Sequence, residues 1–354
     1  MTTTATPRML EWLEKNNPQT YGNYINGQWV QSTSNQVFSI YNSSNHEQLL
    51  ARFQDSTEED VNAAVQAANK AFKSWAIVPA PDRAEVLFKL AMLLEKNSDE
   101  LAFMLSAEQG KVLAESKGEV LRAARETRFA AGEALRIEGQ TLPGERKNVW
   151  NSTIRKPIGV IAAIAPWNFP VVTPIRKIAP ALAYGCTVVY KPASATPWTS
   201  VRLMELISEA GVPDGVVNLV TGSGSRVGNP LVNHPLVKGI SFTGSTKMGL
   251  DINVSAAKRL AKTQLELGGK NPAVVFNYDD VENVAKHISN AAFTCSGQRC
   301  TAISRVIVLK EKQAEVVEAL LNEIKKIKDG PAWEDGATMG PLVHKEQLQS
   351  VQEY

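Results

Sequence analysis

Apolar, β-branched runs alternate with stretches of helical spacing from about residue 154 onward, and this alternation constrains the fold more than any other feature. The apolar runs predict strands at residues 158–165, 187–191, 216–220 and 239–243. The stretches between them predict helices at about residues 175–183, 197–209, 225–233 and 245–255. Nearly continuous apolar strands that are separated by helices indicate a parallel sheet covered on both faces. We therefore predict an α/β fold built on a doubly wound parallel sheet.

Further patterns flank this region on both sides. Residues 23–31 alternate apolar and polar side chains around Asn26-Gly27, a dipeptide that suits the positive φ angles of a tight hairpin turn. Ser56 and Glu59 are predicted to form a capping box that opens a helix ending before Pro79. More helices are predicted at residues 82–96, 99–109 and 111–136. Strands at 263–267, 273–276 and 304–309, with helices at 281–293 and 312–328, predict a second α/β unit.

The composition is that of an ordinary globular chain. Its 354 residues suggest about two domains, and 44% of them are hydrophobic and 21% charged. The net charge of +2 arises from interspersed Lys and Arg without a polybasic run, so we expect neither a nucleic acid nor a membrane as partner. Three cysteines, an odd number, argue against a disulfide framework. The first 17 residues lack the apolar core of a signal peptide, and we expect a cytoplasmic location.

Polar, glycine-rich segments follow the predicted parallel strands. They read PWNFP at 166–170, KPAS at 191–194, TGSGSRVG at 221–228 and TGSTKMG at 243–249. Ligands bind beyond the carboxyl ends of parallel strands, so these segments predict a binding site. Gly244 and Gly249 flank a helix N-terminus, which suits a pyrophosphate, although glycine turns are also common for purely structural reasons. Lys191 is either a ligand of a ribose or phosphate or a solvated surface lysine.

Three further residues are candidates for chemistry. Glu266 lies in LELGGK, and its carboxylate is either a poorly solvated structural acid or a base with a raised pKa. Cys300 lies in a polar loop that runs into an apolar strand, which we expect to be buried and to fix the direction of the thiol. The alternative for Cys300 is a small buried hydrophobic residue. Asn168 lies in a rigid Trp-Asn-Phe-Pro corner.

The motifs PWNFP, KPAxxTP, FTGST, LELGGK and GQRC occur in this order, and together they closely resemble the aldehyde dehydrogenase superfamily. The resemblance runs from about Tyr24 to the end of the chain and is greatest to the semialdehyde dehydrogenase branch. It implies oxidation of an aldehyde, with a carboxylated semialdehyde as the favoured class, to the carboxylic acid with NAD(P)+. The implied fold is a doubly wound cofactor domain joined to an incomplete α/β catalytic domain.

The resemblance also implies roles for the three candidates. Cys300 would attack the aldehyde carbonyl to give a thiohemiacetal, which becomes a thioester after hydride transfer. The Asn168 amide and the Cys300 backbone N–H would form the oxyanion hole. Glu266 would activate the water that hydrolyses the thioester. Cys186 is interpreted as a core residue and Cys295 as a neighbour of the nucleophile at a loop or helix end.

The implied cofactor is NADP or NAD, and no metal is expected. The positions that match the family's dinucleotide contacts are Pro166, Trp167, Lys191, Ser194, Gly228, Phe242, Gly244, Ser245 and Leu267. Members that prefer NAD usually carry a glutamate where this chain has Ser194. The missing carboxylate removes repulsion against a 2′-phosphate, which favours NADP. Arg176 and Arg299 are candidates for holding the distal carboxylate of a semialdehyde, and each could equally form a structural ion pair.

The resemblance divides the chain into a dinucleotide-binding domain (1–133 and 155–267), a β-ribbon oligomerisation arm (134–154) and a truncated catalytic domain (268–354). Family members are homo-oligomers and continue past this length. We therefore expect poor activity and impaired assembly of the 354-residue chain alone. Two rivals stay open. One is a catalytically silent relative that binds a dinucleotide or has a structural role, and the other is a thiol esterase that uses Cys300 and Glu266 without cofactor.

Overall fold

The computed structural model describes residues 11, 13 and 18–353. The strands are β1 Thr20–Tyr21, β2 Asn23–Ile25, β3 Gln28–Val30, β4 Val37–Asn42, β5 Asn45–Gln54, β6 Thr141–Pro143, β7 Trp150–Ser152, β8 Val160–Ile164, β9 Thr187–Lys191, β10 Val217–Leu219, β11 Val237–Gly244, β12 Lys262–Leu267, β13 Asn271–Val275 and β14 Ile303–Val308. The helices are α1 Glu58–Trp75, α2 Ala80–Lys96, α3 Ser98–Gln109, α4 Leu113–Ala134, α5 Val172–Ala183, α6 Trp198–Glu209, α7 Asn229–Asn233, α8 Thr246–Ala257, α9 Val281–Phe293, α10 Gln313–Ile324 and α11 Lys345–Gln352.

A seven-stranded sheet forms the centre of the fold, with the order β12-β11-β8-β9-β10-β2-β3. The five strands from β12 to β10 are parallel to their neighbours. Alternate side chains of β9 enter two different cores: Val188 and Tyr190 pack with α2 to α6, whereas Val189 packs with α1, α7 and α8. Helices therefore cover both faces of the sheet. The predicted α/β fold with a doubly wound parallel sheet is confirmed.

The hairpin predicted at residues 23–31 is confirmed and has a second role. Asn26 and Gly27 have φ angles of 51° and 82°, which place both turn residues in the left-handed region. Strand β2 also pairs antiparallel with β10 through Tyr24 and Leu219, so the hairpin extends the large sheet. This second pairing was not predicted, because a short ribbon carries no local signal for its partner.

The strands β4 and β5 were missed by the sequence analysis. They pair antiparallel and form a three-stranded sheet with β1. Two irregularities in register, on either side of Tyr41, interrupt the pairing. A bulge breaks the two-residue alternation by which a strand is recognised, which explains the miss.

The predicted capping box was wrong by one residue. Helix α1 begins after Thr57, whose backbone N–H donates to Asp60 Oδ2 at 2.9 Å. Ser56 is buried instead, and its hydroxyl accepts from Asn23 Nδ2 at 2.8 Å. Asp60 also accepts from the Ser32 hydroxyl at 2.5 Å. A tertiary contact with the loop after β3 therefore selects Asp60 over Glu59 as the acidic partner.

Strands β13 and β14 form a separate parallel pair packed against α9 and α10, and β6 and β7 form an antiparallel ribbon. The expectation that β14 is buried was wrong, because each of its residues is exposed or half-buried. On the ribbon, the Trp150 side chain is 80% exposed. The predicted domain boundaries at 133, 155 and 267 stay predictions. No helix in the described ranges is both long enough and apolar enough to cross a bilayer.

A buried glutamate of α3 caps a helix of the neighbouring layer. Glu108 accepts from the backbone N–H of Trp198 at 2.8 Å and of Thr199 at 3.1 Å, and from the Thr199 hydroxyl. Pro197, which precedes α6, has no side-chain acceptor of its own. Glu108 thus satisfies N–H groups that a helix otherwise leaves without partners. Burial raises the pKa of Glu108 to about 8, although these hydrogen bonds oppose the shift.

We predict that Glu108→Ala lowers the free energy of unfolding by about 2–4 kcal/mol, since it leaves a cavity and two buried N–H groups without an acceptor. Urea denaturation followed by circular dichroism measures the change. Glu85→Ala is the matched control, because Glu85 forms an exposed pair with Lys89 and its loss should change stability by about 0.5 kcal/mol or less. Equal effects of the two variants would contradict the capping role of Glu108.

Candidate active site

A cleft with a volume of about 1180 Å³ runs along β8 and includes the carboxyl ends of β8, β11 and β12. From β8 the chain builds β9 and β10 on one side and then β11 and β12 on the other, so the strand order reverses between β8 and β11. Ligands of doubly wound sheets bind at such a reversal, because the crossover connections part there and leave a crevice. The predicted catalytic residues Cys300, Glu266 and Asn168 all line this cleft.

Cys300 lies in the turn between α9 and β14, and its side chain is exposed. The turn begins with three successive residues of positive φ, namely Cys295 at 58°, Ser296 at 54° and Gly297 at 71°. Two of these are not glycine, so the backbone is held in a strained conformation by its surroundings. Asn271 Nδ2 donates to the Cys300 carbonyl at 2.5 Å and ties the turn to β13. The thiol is therefore accessible on a fixed backbone.

The other two cysteines are buried, as the sequence analysis expected of Cys186. Cys186 is 6% exposed and borders the cleft. Cys295 lies two residues after the C-terminal end of α9 and is 3% exposed, which agrees with its interpretation as a helix-end neighbour of Cys300. Burial raises the pKa of both thiols. Among the three cysteines, Cys300 is thus the one whose thiol solvent and reagents reach.

Asn168 joins the corner after β8 to the cysteine turn. Its Nδ2 atom donates to the Gln298 carbonyl oxygen at 2.8 Å, two residues before Cys300. A side-chain amide carries two N–H groups, so this bond occupies one donor and leaves a second for a substrate oxygen. Gln298 is buried, and its own side chain accepts from the backbone N–H of Val343 at 3.1 Å. The partner of Asn168 is therefore itself held in place.

Glu266 lies on β12, the edge strand of the large sheet, directly opposite Thr243 of β11. Its carboxylate accepts from Gln264 Nε2 at 2.9 Å. Of the two alternatives left open by the sequence, the poorly solvated structural acid does not describe Glu266, because the residue is exposed at the sheet edge. The two leucines beside it in sequence point to the opposite face of the strand and so do not cover it.

The residues predicted to contact the cofactor form two groups along the same edge of the sheet. The first group borders the cleft and consists of Pro166, Trp167, Gly244, Ser245 and Leu267. Ser245 caps α8 by accepting from the Met248 N–H at 3.3 Å. A Cβ atom on Gly244 would lie 2.4 Å from Phe242 Cζ, so the glycine is required where the Phe242 ring approaches the backbone. The remaining N–H groups of a helix N-terminus beside a glycine are suited to a pyrophosphate.

The second group lies beyond the ends of β9 and β10 and consists of Lys191, Ser194 and Gly228. Phe242 is buried in the core that α1, α7 and α8 form with the sheet. Lys191 Nζ donates to the Pro192 carbonyl at 2.9 Å, and burial lowers its pKa to about 8. A Cβ atom on Gly228 would lie 3.8 Å from Lys191 Cδ. The Ser194 hydroxyl donates to the Gly222 carbonyl at 3.0 Å. A buried ammonium beside a glycine-rich turn fits a phosphate-bearing cofactor.

Comparison with known proteins identifies the architecture. Residues 29–354 match the model of the aldehyde dehydrogenase family. The alpha-ketoglutaric semialdehyde dehydrogenase of Bacillus subtilis (strain 168) is 42% identical over 335 residues, which are 95% of this chain and 69% of that protein. The NADP(+) succinate-semialdehyde dehydrogenase GabD of Escherichia coli (strain K12) is 39% identical over 93% of this chain and 68% of its own length. An NAD+ complex of an aldehyde dehydrogenase from Bacillus cereus superposes with a TM-score of 0.93 at 36% identity, covering 100% of this chain and 72% of that one.

The chain belongs to the aldehyde dehydrogenase family. Members of this family oxidise aldehydes with NAD(P)+ through a thioester on a cysteine, and the chain is an oxidoreductase by this membership. It spans about 69% of the length of the B. subtilis relative. The predicted family, fold and cofactor class are therefore confirmed, whereas the roles of single residues stay predictions.

One lysine of this aldehyde dehydrogenase site was missed by the sequence analysis. Lys177 of α5 is 5% exposed and borders the cleft, and its Nζ donates to Thr243 Oγ1 at 2.7 Å and to Ser241 Oγ at 3.2 Å. Burial lowers the pKa of Lys177 to about 8, and the charge of Glu266 acts in the opposite direction. A lysine among apolar residues of a helix was the available signal, because a buried ammonium requires polar partners.

The two arginines proposed to hold a carboxylate both border the cleft, but each has other contacts. Arg176 forms two bonds of 2.5 Å with the Glu126 carboxylate. Arg299 Nη2 donates to the Ala291 carbonyl at 2.6 Å, whereas its buried Nε has no partner. Of the two alternatives left open by the sequence, the structural ion pair therefore describes Arg176. Arg155, which follows the β-ribbon and borders the cleft, was not singled out from the sequence.

Proposed function

We propose that this chain oxidises a carboxylated semialdehyde to the dicarboxylic acid with NADP+ and uses Cys300 as the nucleophile. The observation that carries the proposal is the convergence of one accessible thiol, one amide donor and one carboxylate on a single cleft. These three groups are supplied by three separate segments of the chain, after β8, on β12 and before β14. A catalytically silent relative would not need these three groups to lie together where the strand order reverses.

The side chains account for each step of the reaction. The Cys300 thiolate attacks the aldehyde carbonyl carbon, and the Asn168 amide and the Cys300 backbone N–H donate to the oxyanion that develops. Bound NADP+ supplies the acceptor for the hydride that leaves this carbon. Glu266 then takes a proton from the water that attacks the thioester, and the C–S bond breaks to release the acid and the thiolate. Exposure of Glu266 at the sheet edge gives water access to this carboxylate.

The charge of the cleft supports a carboxylated substrate. In the described part of the chain, six basic residues and one acidic residue line it: Arg122, Arg155, Lys156, Arg176, Lys177, Arg299 and Glu266. Arg155 and Lys156 are exposed and lie between the ribbon and β8, where their charges reach solvent. A low-dielectric cleft lined by one sign of charge attracts a substrate of the opposite sign. Two relatives named above act on semialdehydes that carry a carboxylate.

We predict that first-turnover NADPH formation is at least about tenfold more efficient with succinic semialdehyde than with butanal, which has the same chain length but no carboxylate. Arg155→Met should lower the efficiency for succinic semialdehyde several-fold, and rising salt should have the same effect, because both weaken attraction of the carboxylate. Arg146→Met is the matched control, since Arg146 lies in the turn of the ribbon that precedes Arg155 and does not border the cleft. Equal efficiencies for the two aldehydes would contradict the proposed substrate class.

The preference for NADP rests on Ser194 and its neighbours. Ser194 and Lys191 lie at the end of β9, and the Ser194 hydroxyl contacts the backbone of the glycine-rich segment after β10. The Lys191 ammonium can donate to a phosphate, and the Ser194 hydroxyl can do so by turning away from the Gly222 carbonyl, whereas a glutamate at this position would repel the phosphate. One relative is named as an NADP(+) enzyme and one solved neighbour contains NAD+, so the family includes both cofactors.

We predict that the chain binds NADP+ at least about tenfold more tightly than NAD+, the equivalent of one hydrogen bond to a charged group. Ser194→Glu should reverse the preference by charge repulsion. Ser194→Gln has the same size without the charge and should retain at least part of it. Quenching of tryptophan fluorescence measures both dissociation constants without requiring turnover. Tighter binding of NAD+ than of NADP+ by the unaltered chain would rule out this assignment.

A further inference from the structure

We propose that Lys111 and Glu119 act together as a positioning unit that holds the corner carrying Asn168 against the cysteine turn. This inference rests on the proposed function, since it assigns Lys111 and Glu119 a role in aiming the oxyanion donor. Neither residue borders the cleft. Both act on the backbone of the segment that leads from β8 into α5.

Lys111 contacts this segment at its first residues. Its side chain is 1% exposed, and Nζ lies 2.8 Å from the Asn168 carbonyl oxygen and 2.6 Å from Glu119 Oε2. The same ammonium lies 4.0 Å from the centre of the Phe169 ring, a distance that permits a cation–π interaction. The lysine therefore binds the backbone of the residue whose side-chain amide faces the cysteine turn.

Glu119 contacts the other end of the segment. Its Oε1 atom accepts from the backbone N–H of Val171 at 2.9 Å and of Val172 at 3.0 Å. Val171 precedes α5 and has no side-chain acceptor, so Glu119 supplies the cap from α4. A negative charge at a helix N-terminus is also favoured by the helix dipole. One ion pair thus fixes both ends of residues 168–172.

The stretch around Lys111 also contacts the cysteine turn. The Glu115 carboxylate accepts from the Cys295 backbone N–H at 3.0 Å, and the Gln109 amide lies 3.8 Å from Cys295 Sγ. Residues 109–119 therefore touch both walls between which Asn168 Nδ2 bonds to the Gln298 carbonyl. Asn168 can therefore shift relative to Cys300 only if residues 109–119 also move.

Stability alone does not explain such a pair. The desolvation of two fully buried charges offsets most of their attraction, and apolar residues of similar volume often stabilise a core equally well. What an ion pair adds is direction, because each oxygen and each N–H must point at a defined partner. Here the partners are the Asn168 carbonyl oxygen and the N–H groups of Val171 and Val172. The ion pair therefore fixes the position of Asn168, whose side chain is the proposed oxyanion donor.

Two reagents that attack Cys300 differently separate positioning from simple integrity of the fold. With p-nitrophenyl acetate, the thiolate attacks the ester carbonyl, an oxyanion forms, and the C–O bond breaks to release p-nitrophenolate. With iodoacetamide, the S–C bond forms as iodide leaves, and no oxyanion develops. The acylation burst therefore depends on an oxyanion donor and alkylation does not. Peptide mass spectrometry with a Cys300→Ser control assigns both products to Cys300.

We expect Lys111→Met to slow the acylation burst by roughly tenfold or more, while the rate of alkylation changes by less than about twofold. Lys117→Met is the matched control, because Lys117 of α4 forms a surface pair with Asp99 of α3, and it should leave both rates unchanged. In an Asn168→Ala background, Lys111→Met should cause no further loss, because the lysine acts through that amide. Should Lys111→Met fail to fold, the variant Lys111→Met with Glu119→Leu removes both charges and is measured in the same way.

Three results would overturn the positioning role. They are equal loss of acylation and alkylation, losses that add fully to those of Asn168→Ala, and normal acylation in a folded Lys111→Met or double variant. Failure of the proposed function looks different. In that case the unaltered chain gives no acylation burst at Cys300, or Asn168→Ala leaves the burst unchanged, and the positioning role falls with it.

Discussion

The hydrogen bond from Asn168 Nδ2 to the Gln298 carbonyl is the contact on which the site depends. It joins the corner after β8, in the large sheet, to the turn before β14, in the separate two-stranded sheet. Together with the contacts of Glu115 and Gln109 to Cys295, it fixes the thiol relative to the amide donor. A shift of about 1 Å between reacting groups is enough to lose much of a rate enhancement. The geometry of the site therefore depends on the contacts that hold the corner after β8 against the turn before β14.

Buried carboxylates of the α3–α4 region hold the neighbouring layer of helices. Glu108 caps α6 and Glu119 caps α5, the two helices that follow β9 and β8. Neither α5 nor α6 is preceded by a residue with a side-chain acceptor. Neither helix therefore has a capping side chain next to its N-terminus, and a glutamate from a distant part of the chain accepts from its first N–H groups instead. This arrangement makes the position of the β8 corner depend on packing against α3 and α4.

Local pattern accounted for the large sheet, because β8 to β11 are apolar runs and the helices between them have a clear period. The motif order also led to Cys300, Asn168 and Glu266, which share one cleft. The local sequence pattern did not predict contacts between segments that are distant in the chain. The bulged β4–β5 pair, the selection of Asp60 as cap and the buried Lys177 all depend on contacts between distant segments. Exposure of Glu266 was missed for the same reason, since an edge strand and a central strand have similar sequences.

The most direct test of the account is mass spectrometry of the chain quenched during its first turnover with NADP+ and succinic semialdehyde. The account predicts a succinyl adduct on the peptide that contains Cys300, formed together with one NADPH, absent without NADP+ and absent in Cys300→Ser. Glu266→Gln should increase the amount of adduct, because hydrolysis of the thioester is slowed while its formation continues. NADPH formation that survives Cys300→Ser, an adduct on Cys186 or Cys295, or the absence of any adduct in Glu266→Gln would contradict the account.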